Sequence, residues 1–191
     1  MLHEKQKNCG ECAFRDDAMT VIDTCVLSSL AKIDRLDLLR KSFENIIITP
    51  SVVNEIEEVG EAKFVKRIKE ALYFEEIEEG KFILVVSLSQ KELQYAHKLK
   101  TKYGLSIADS ECIAVAKMRE MLLLSDDKYL GEMAINEEVE HVYDLLTFLE
   151  ACIVKGIIQK EELIEIVSLL KKRDFYKFSE DDRRELFSYF E

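Results

Sequence analysis

Only six glycines and a single proline, Pro50, interrupt the 191 residues. Glycine and proline are the strongest helix breakers, so their scarcity predicts a fold dominated by helix. Long apolar runs are missing too. None approaches the ~20 residues of a bilayer span, and no membrane-spanning helix is expected. The opening stretch, MLHEKQKNCGECAFRDDA, lacks the apolar segment of a secretory signal. Cysteines number five, scattered and odd, which fits a reducing cytoplasm and not a disulfide framework. Positive charge is in deficit. A net charge of −11 excludes broad, non-specific coating of nucleic acid, which needs a basic surface. It leaves room for a nucleic-acid enzyme, because a bound divalent metal reverses the local sign of an acidic site.

What remains is 48% hydrophobic and 34% charged, the profile of one globular domain with a sizeable core. Residues 1–18 are polar with little apolar pattern and read as an N-terminal extension. Beyond them, apolar strands alternate with helices. MTVID, NIIIT, KFILVVSL and MLLLSDD read as buried strands near 19–23, 45–49, 82–87 and 121–125. VEHVYD is a short fifth. VLSSLAKIDRLDLLRKSF carries apolar residues at helical spacing, EAKFVKRIKEALYF gathers Phe64, Val65, Ile68, Ala71 and Leu72 on one face, and Pro50 suits a helix start. Ser89 opens a further helix stopped by Gly104. Ser106, followed three residues later by Asp109, resembles a helix N-cap. Residues 144–191 read as a helical C-terminal extension, packed on the domain or in a dimer.

Apolar strands that alternate with helices imply an α/β fold, with a parallel sheet covered on both faces. Ligands of such folds sit beyond the carboxyl ends of the strands. Asp23 stands there after strand one. Asp126 and Asp127 follow strand four, Asp109 lies in the first turn of the preceding helix, and Glu55 lies about one turn into the helix after strand two. Each acid alone has an ordinary structural reading as a turn, cap or surface residue. Together they mark one edge, and clustered carboxylates need a compensating cation. Oxygen ligands suit Mg²⁺ or Mn²⁺.

VIDTCVL, IIITPSVVNEIEE and LSIADSECIAVAKMREMLLLSDDKYL resemble, in order, the acidic motifs of PIN-domain ribonucleases. The resemblance covers about residues 19–143. It implies a three-layer α/β/α sandwich with strand order 3-2-1-4 and any fifth strand beside the fourth. It also implies a metal-dependent endoribonuclease: Asp23, Glu55, Asp109 and Asp127 form the acidic site, Asp126 is a further metal ligand, and Thr24 and Ser125 are supporting hydroxyls. Mg²⁺ or Mn²⁺ as cofactor, RNA as substrate, a homodimer and an antitoxin protein are the expected partners. The expected setting is the toxin of a toxin–antitoxin pair or an RNA-processing nuclease. The helical tail resembles that of a PIN subgroup with extra C-terminal helices.

Two alternatives use the same residues. A haloacid-dehalogenase-like phosphatase also places Asp after strand one and an acidic pair after a later strand. Its general acid would lie two residues after the nucleophile, where this chain has Cys25. A non-catalytic PIN-fold binding module would keep the fold and lose the metal site. Weaker signals are read as structural. Cys9 and Cys12 form one C-x-x-C pair without the second pair that a zinc site wants. Cys25, Cys112 and Cys152 are expected to be small core residues. His97 and His141 stand alone. Basic runs at Lys63, Lys66, Arg67 and Lys69, at Lys98, Lys100 and Lys102, and at Lys171, Lys172 and Arg173 read as solvated helix faces. Any that lies beside the acidic edge would hold an RNA backbone.

Overall fold

The computed structural model describes residues 19–73 and 82–191. Residues 1–18, with the Cys9–Cys12 pair, lie outside the described residues. The strands are β1 (Thr20–Ile22), β2 (Ile46–Ile48), β3 (Ile83–Val85), β4 (Leu122–Leu124) and β5 (Val142–Tyr143). They form one sheet of order β3-β2-β1-β4-β5, parallel throughout. The central strands are apolar without alternation, and β1, β2 and β4 are buried along their length. That is the pattern of strands covered on both faces.

The helices are α1 (Thr24–Ile33), α2 (Asp37–Ser42), α3 (Pro50–Glu58), α4 (Lys63–Tyr73), α5 (Gln90–Tyr103), α6 (Ile107–Met118), α7 (Lys128–Asn136), α8 (Leu145–Val154), α9 (Lys160–Leu169) and α10 (Glu180–Ser188). β1, β2 and β5 each pass through a single residue into a helix at the carboxyl edge of the sheet, β3 and β4 do so after short loops, and polar residues cap the helices that start there. Asp23, Thr49, Ser106, Asp127 and Asp144 accept from the backbone N–H groups of α1, α3, α6, α7 and α8. Pro50 occupies the first turn of α3, and Gly104 ends α5 with φ 70, a left-handed value that glycine adopts without strain.

Two departures from the sequence expectations have physical causes. The helical run 26–43 is broken at Asp34, which takes a left-handed conformation (φ 67) and closes α1 with its N–H on Ala31 and Leu30. Asp tolerates this region better than most residues. The tail carries helices over Leu145–Val154, Lys160–Leu169 and Glu180–Ser188, and its departure is one of helix type. α9 runs into a π-helical turn, Leu170–Asp174, and the chain leaves it through Phe175 at φ 56.

The core is one cluster that includes the tail. Leu145, Leu146, Phe148, Leu149, Cys152, Leu163, Ile166, Leu170 and Leu186 are buried with Ile22, Leu30, Leu39 and Ile46. Phe43 and Phe148 stack at 5.9 Å between centroids. Most apolar surface of α8 and α9 is therefore satisfied within the chain. Val154 and Ile164 stay exposed. Among the described residues, no helix is long and apolar enough to cross a membrane.

Candidate active site

Asp23 leaves β1 at the carboxyl edge and caps α1, accepting from Val26 N at 3.1 Å. Two further donors hold the same carboxylate: Cys25 Sγ at 2.8 Å and Ser125 Oγ at 2.5 Å, both to Oδ2. The residue is 4% exposed. Burial pushes its carboxyl from 3.8 up to about 6, against the pull of the hydrogen bonds from Cys25, Ser125 and Val26. The charge of Asp109 adds the smallest push upward. Desolvation, not repulsion between acids, therefore dominates at this carboxylate.

Glu55 reaches the same edge from α3. Its Oε2 accepts from Thr24 Oγ1 at 2.5 Å, so the residue after Asp23 orients the acid of the neighbouring helix. Asp109 lies at the third position of α6 in a capping box. Its N–H bonds Ser106 Oγ at 3.0 Å, and its Oδ2 accepts from Ser106 N at 3.3 Å. Asp127 caps α7, accepting from Leu130 N at 3.0 Å. Its own N–H donates to Ser125 Oγ at 3.1 Å, so Ser125 ties Asp23 and Asp127 together.

Asp23, Glu55, Asp109 and Asp127, with Thr24, Cys25, Val52, Ala108 and Cys112, line one pocket of about 150 Å³. No Lys, Arg or His is among the residues that line it. Burial and the charges of Asp23, Asp109, Glu111 and Glu55 push the Cys112 thiol well up, which shows how many carboxylates surround this corner. Asp126 is placed differently. Its Oδ1 accepts from Leu145 N at 3.2 Å and from Tyr176 Oη at 3.0 Å. It lines a neighbouring cavity with Asp144, Tyr176 and Lys177, and burial pushes its carboxyl up. The acidic dipeptide therefore splits: Asp127 faces the pocket and Asp126 faces the tail.

Two residues of this corner were not read from the sequence as part of it. Cys25, expected in the core, is half-buried at the pocket wall. Its thiol donates to Asp23, and its Sγ accepts from Asp126 N at 3.3 Å. The signal was its position two residues after Asp23, on the exposed side of a helix N-terminus. Glu111 is 6% exposed and accepts from Ser51 N at 3.2 Å, clamping α6 to the start of α3. Its only sequence signal was a polar residue inside the apolar run of α6.

Among the described residues, no group of three or more His, Cys, Asp or Glu side chains is placed to hold a metal ion. Mg²⁺ does not require one, since it keeps several waters and uses one or two carboxylates. The chemistry of the four acids is the fit: carboxylate oxygens without a competing side-chain cation, beside the thiols of Cys25 and Cys112 in the same wall.

A family model described as PIN domain matches residues 19–185. The chain belongs to the PIN-domain family. No curated protein matches this chain. Among solved structures, the crystal structure of PAE2754 from Pyrobaculum aerophilum is similar at 14% identity, with a TM-score of 0.47, over 80% of this PIN domain's chain and 95% of its own. The PIN domain is a nuclease fold, so hydrolysis of nucleic acid is the coarse activity that goes with this membership.

Proposed function

We propose that this PIN domain is a Mg²⁺- or Mn²⁺-dependent endoribonuclease. Its reaction centre is the pocket framed by Asp23, Glu55, Asp109 and Asp127. One observation carries the reading: four acids from four separate segments line one pocket that contains no side-chain cation. Divalent cations at such a site polarise a phosphoryl oxygen and activate water near neutral pH. The four carboxylates would hold them.

The chain's own residues prepare that chemistry. Ser125 and Cys25 hold Asp23 in one orientation. Thr24 does the same for Glu55. Burial raises the Asp23 carboxyl to about 6, so a bound cation would compete with its proton, and activity is expected to rise as pH passes 6. The apolar wall of Val52, Ala108 and Cys112 limits solvent on one side and strengthens the local electrostatics. Cys25 weakens the phosphatase alternative. Its thiol is pushed far up by burial and by Asp23, and it is spent holding that Asp, so it is a poor proton donor to a leaving group.

The test is Mn²⁺-supplemented cleavage of mixed RNA by the purified protein beside Asp23→Asn. Wild-type cleavage that EDTA abolishes and Asp23→Asn lacks is the expected result. Undiminished cleavage by the variant overturns the assignment. A homodimer through the exposed Val154 and Ile164 surface belongs to the same proposal, and a monomer by sedimentation at micromolar concentration removes it. An antitoxin partner is tested by inhibition of the same cleavage.

A further inference from the structure

The basic run Lys171, Lys172 and Arg173 lies in the π-helical turn, and the chain leaves that turn with an unusual backbone. Phe175 takes φ 56, an outlier for a bulky side chain, and it is 82% exposed. Both π-helical turns and left-handed backbone at ordinary residues gather at functional sites. The surrounding frame is fixed. Asp174 accepts from Ser29 Oγ at 2.5 Å and from Lys32 Nζ at 2.6 Å, both on α1. Tyr176 Oη reaches Asp126, and Leu170 is fully buried. The ring is thus presented outward by a docked turn.

That turn leads to the active pocket. Ser29 and Lys32 sit about 9 and 13 Å along α1 from Asp23 at 1.5 Å per residue. Tyr176 and Lys177 line a cavity of about 310 Å³ that shares Asp127 with the acidic pocket. The charges along the segment are available. Lys171, Lys172 and Lys177 are exposed, and among the described residues no ion pair engages them. Arg173 donates to a backbone oxygen, Lys32 O, at 3.5 Å. The acids beside them bond to neutral donors and to none of these cations: Asp126 accepts from Leu145 N and Tyr176 Oη, Asp144 from Thr147 N, and Asp182 from Ser179 N. In the other basic runs Arg67 pairs with Asp34, Lys66 with Glu70 and Lys102 with Glu137, and neither run carries an exposed aromatic ring in a left-handed turn.

We propose that residues 171–177 form a docking strip for single-stranded RNA, in which Phe175 stacks on a base and Lys171, Lys172, Arg173 and Lys177 hold the backbone phosphates. The charge complementarity selects the occupant: in a chain of net charge −11, four clustered cations beside one exposed ring fit a polyanion that also carries flat rings. The strip deepens the ribonuclease reading and rests on it for the direction of the strand, which runs from the strip across Asp127 into the acidic pocket.

The test is equilibrium binding of a fluorescein-labelled single-stranded RNA of about twelve nucleotides, in EDTA, to the full chain. Phe175→Ala raises Kd about fivefold or more, the scale of one lost base stack. Phe175→Trp keeps the affinity and Phe175→Leu does not, which separates stacking from simple apolar contact. The Lys171→Glu, Lys172→Glu double variant weakens binding and flattens its salt dependence. Tyr73→Ala, an exposed aromatic outside the strip, binds as wild type does. The proposal is overturned if Phe175→Ala and the double Lys variant both bind within about twofold of wild type. It is also overturned if Phe175→Ala dissociates a dimer while its RNA affinity stays unchanged, which assigns the ring to a protein partner. Phe175-dependent binding without Mn²⁺-dependent cleavage removes the ribonuclease reading and keeps the strip. Cleavage with Phe175-independent binding does the reverse.

Discussion

Ser125 Oγ donates to Asp23 Oδ2 at 2.5 Å across 102 residues of sequence, and the same oxygen accepts from Asp127 N. One hydroxyl thus joins the ends of β1 and β4, which are neighbours in the sheet, and holds the two acids that frame the pocket from that side. Ser125→Ala leaves Asp23 more weakly solvated and Asp127 N without this acceptor. The expected outcome is weaker Mn²⁺ binding by titration calorimetry and a loss of about 1–2 kcal/mol in urea unfolding.

Asp23 costs the metal-free protein stability at neutral pH. Its folded carboxyl titrates near 6 and its ordinary value is 3.8. The folded state therefore binds more protons between those values, and stability falls as pH rises through that window. The full cost above pH 6 is about 3 kcal/mol. Asp23→Asn, which can still cap α1, is expected to raise the urea midpoint at pH 7.5 in EDTA, with the gain vanishing near pH 4. A variant less stable than wild type at pH 7.5 contradicts this.

Glu92 has the opposite sign. The Arg119 guanidinium beside it, at 2.6 Å, holds its carboxyl down from 4.5 to about 2. Its contribution is present above pH 4.5 and is lost as pH falls towards 2. Glu92→Gln is expected to cost about 1–3 kcal/mol at pH 7 and progressively less in acid, read as converging chemical denaturation curves.

Cys25 is expected to resist alkylation. Burial and Asp23 push its thiol well above the ordinary range, and the thiolate is the nucleophile. Iodoacetamide at pH 8 with site mapping by mass spectrometry should label Cys25 far more slowly than a model thiol. Asp23→Asn should accelerate it. Equal rates in both proteins rule out control by the Asp23 charge.

Asp127→Ala and Asp127→Asn should separate two roles. Asn retains a cap for α7 and Ala does not, so Ala alone should lose about 1 kcal/mol of stability. Both should lose Mn²⁺ affinity. Equal stability of the two variants counts against the cap.

The sheet was legible because its strands are apolar runs that end in polar cap and turn residues: Ile46–Ile48 before Thr49 and Pro50, and Leu122–Leu124 before Ser125 and the cap Asp127. Strand order followed from the family motifs, not from any residue pattern. The positions of Asp23, Glu55, Asp109 and Asp127 were legible for the same reason, since strand ends and helix starts share one edge. Asp126 was not, because which way each half of an acidic pair turns depends on Tyr176, 50 residues later. Glu111 and the break at Asp34 were hidden as well. The first depends on a single contact with Ser51, and the second on a left-handed residue that no glycine announces.

Three of the four pocket acids also start a helix: Asp23 and Asp127 cap the N-termini of α1 and α7, and Asp109 completes the box on α6. Folding therefore selects a short polar side chain at each place, whether or not anything is ever cut. A descendant that abandoned the chemistry would drift at Asp23 and Asp127 towards Asn or Ser, which still cap, while Glu55, with no cap to keep, would be released to almost any residue. In members of this lineage, the side chain at position 55 is the more sensitive record of whether the pocket is still in use.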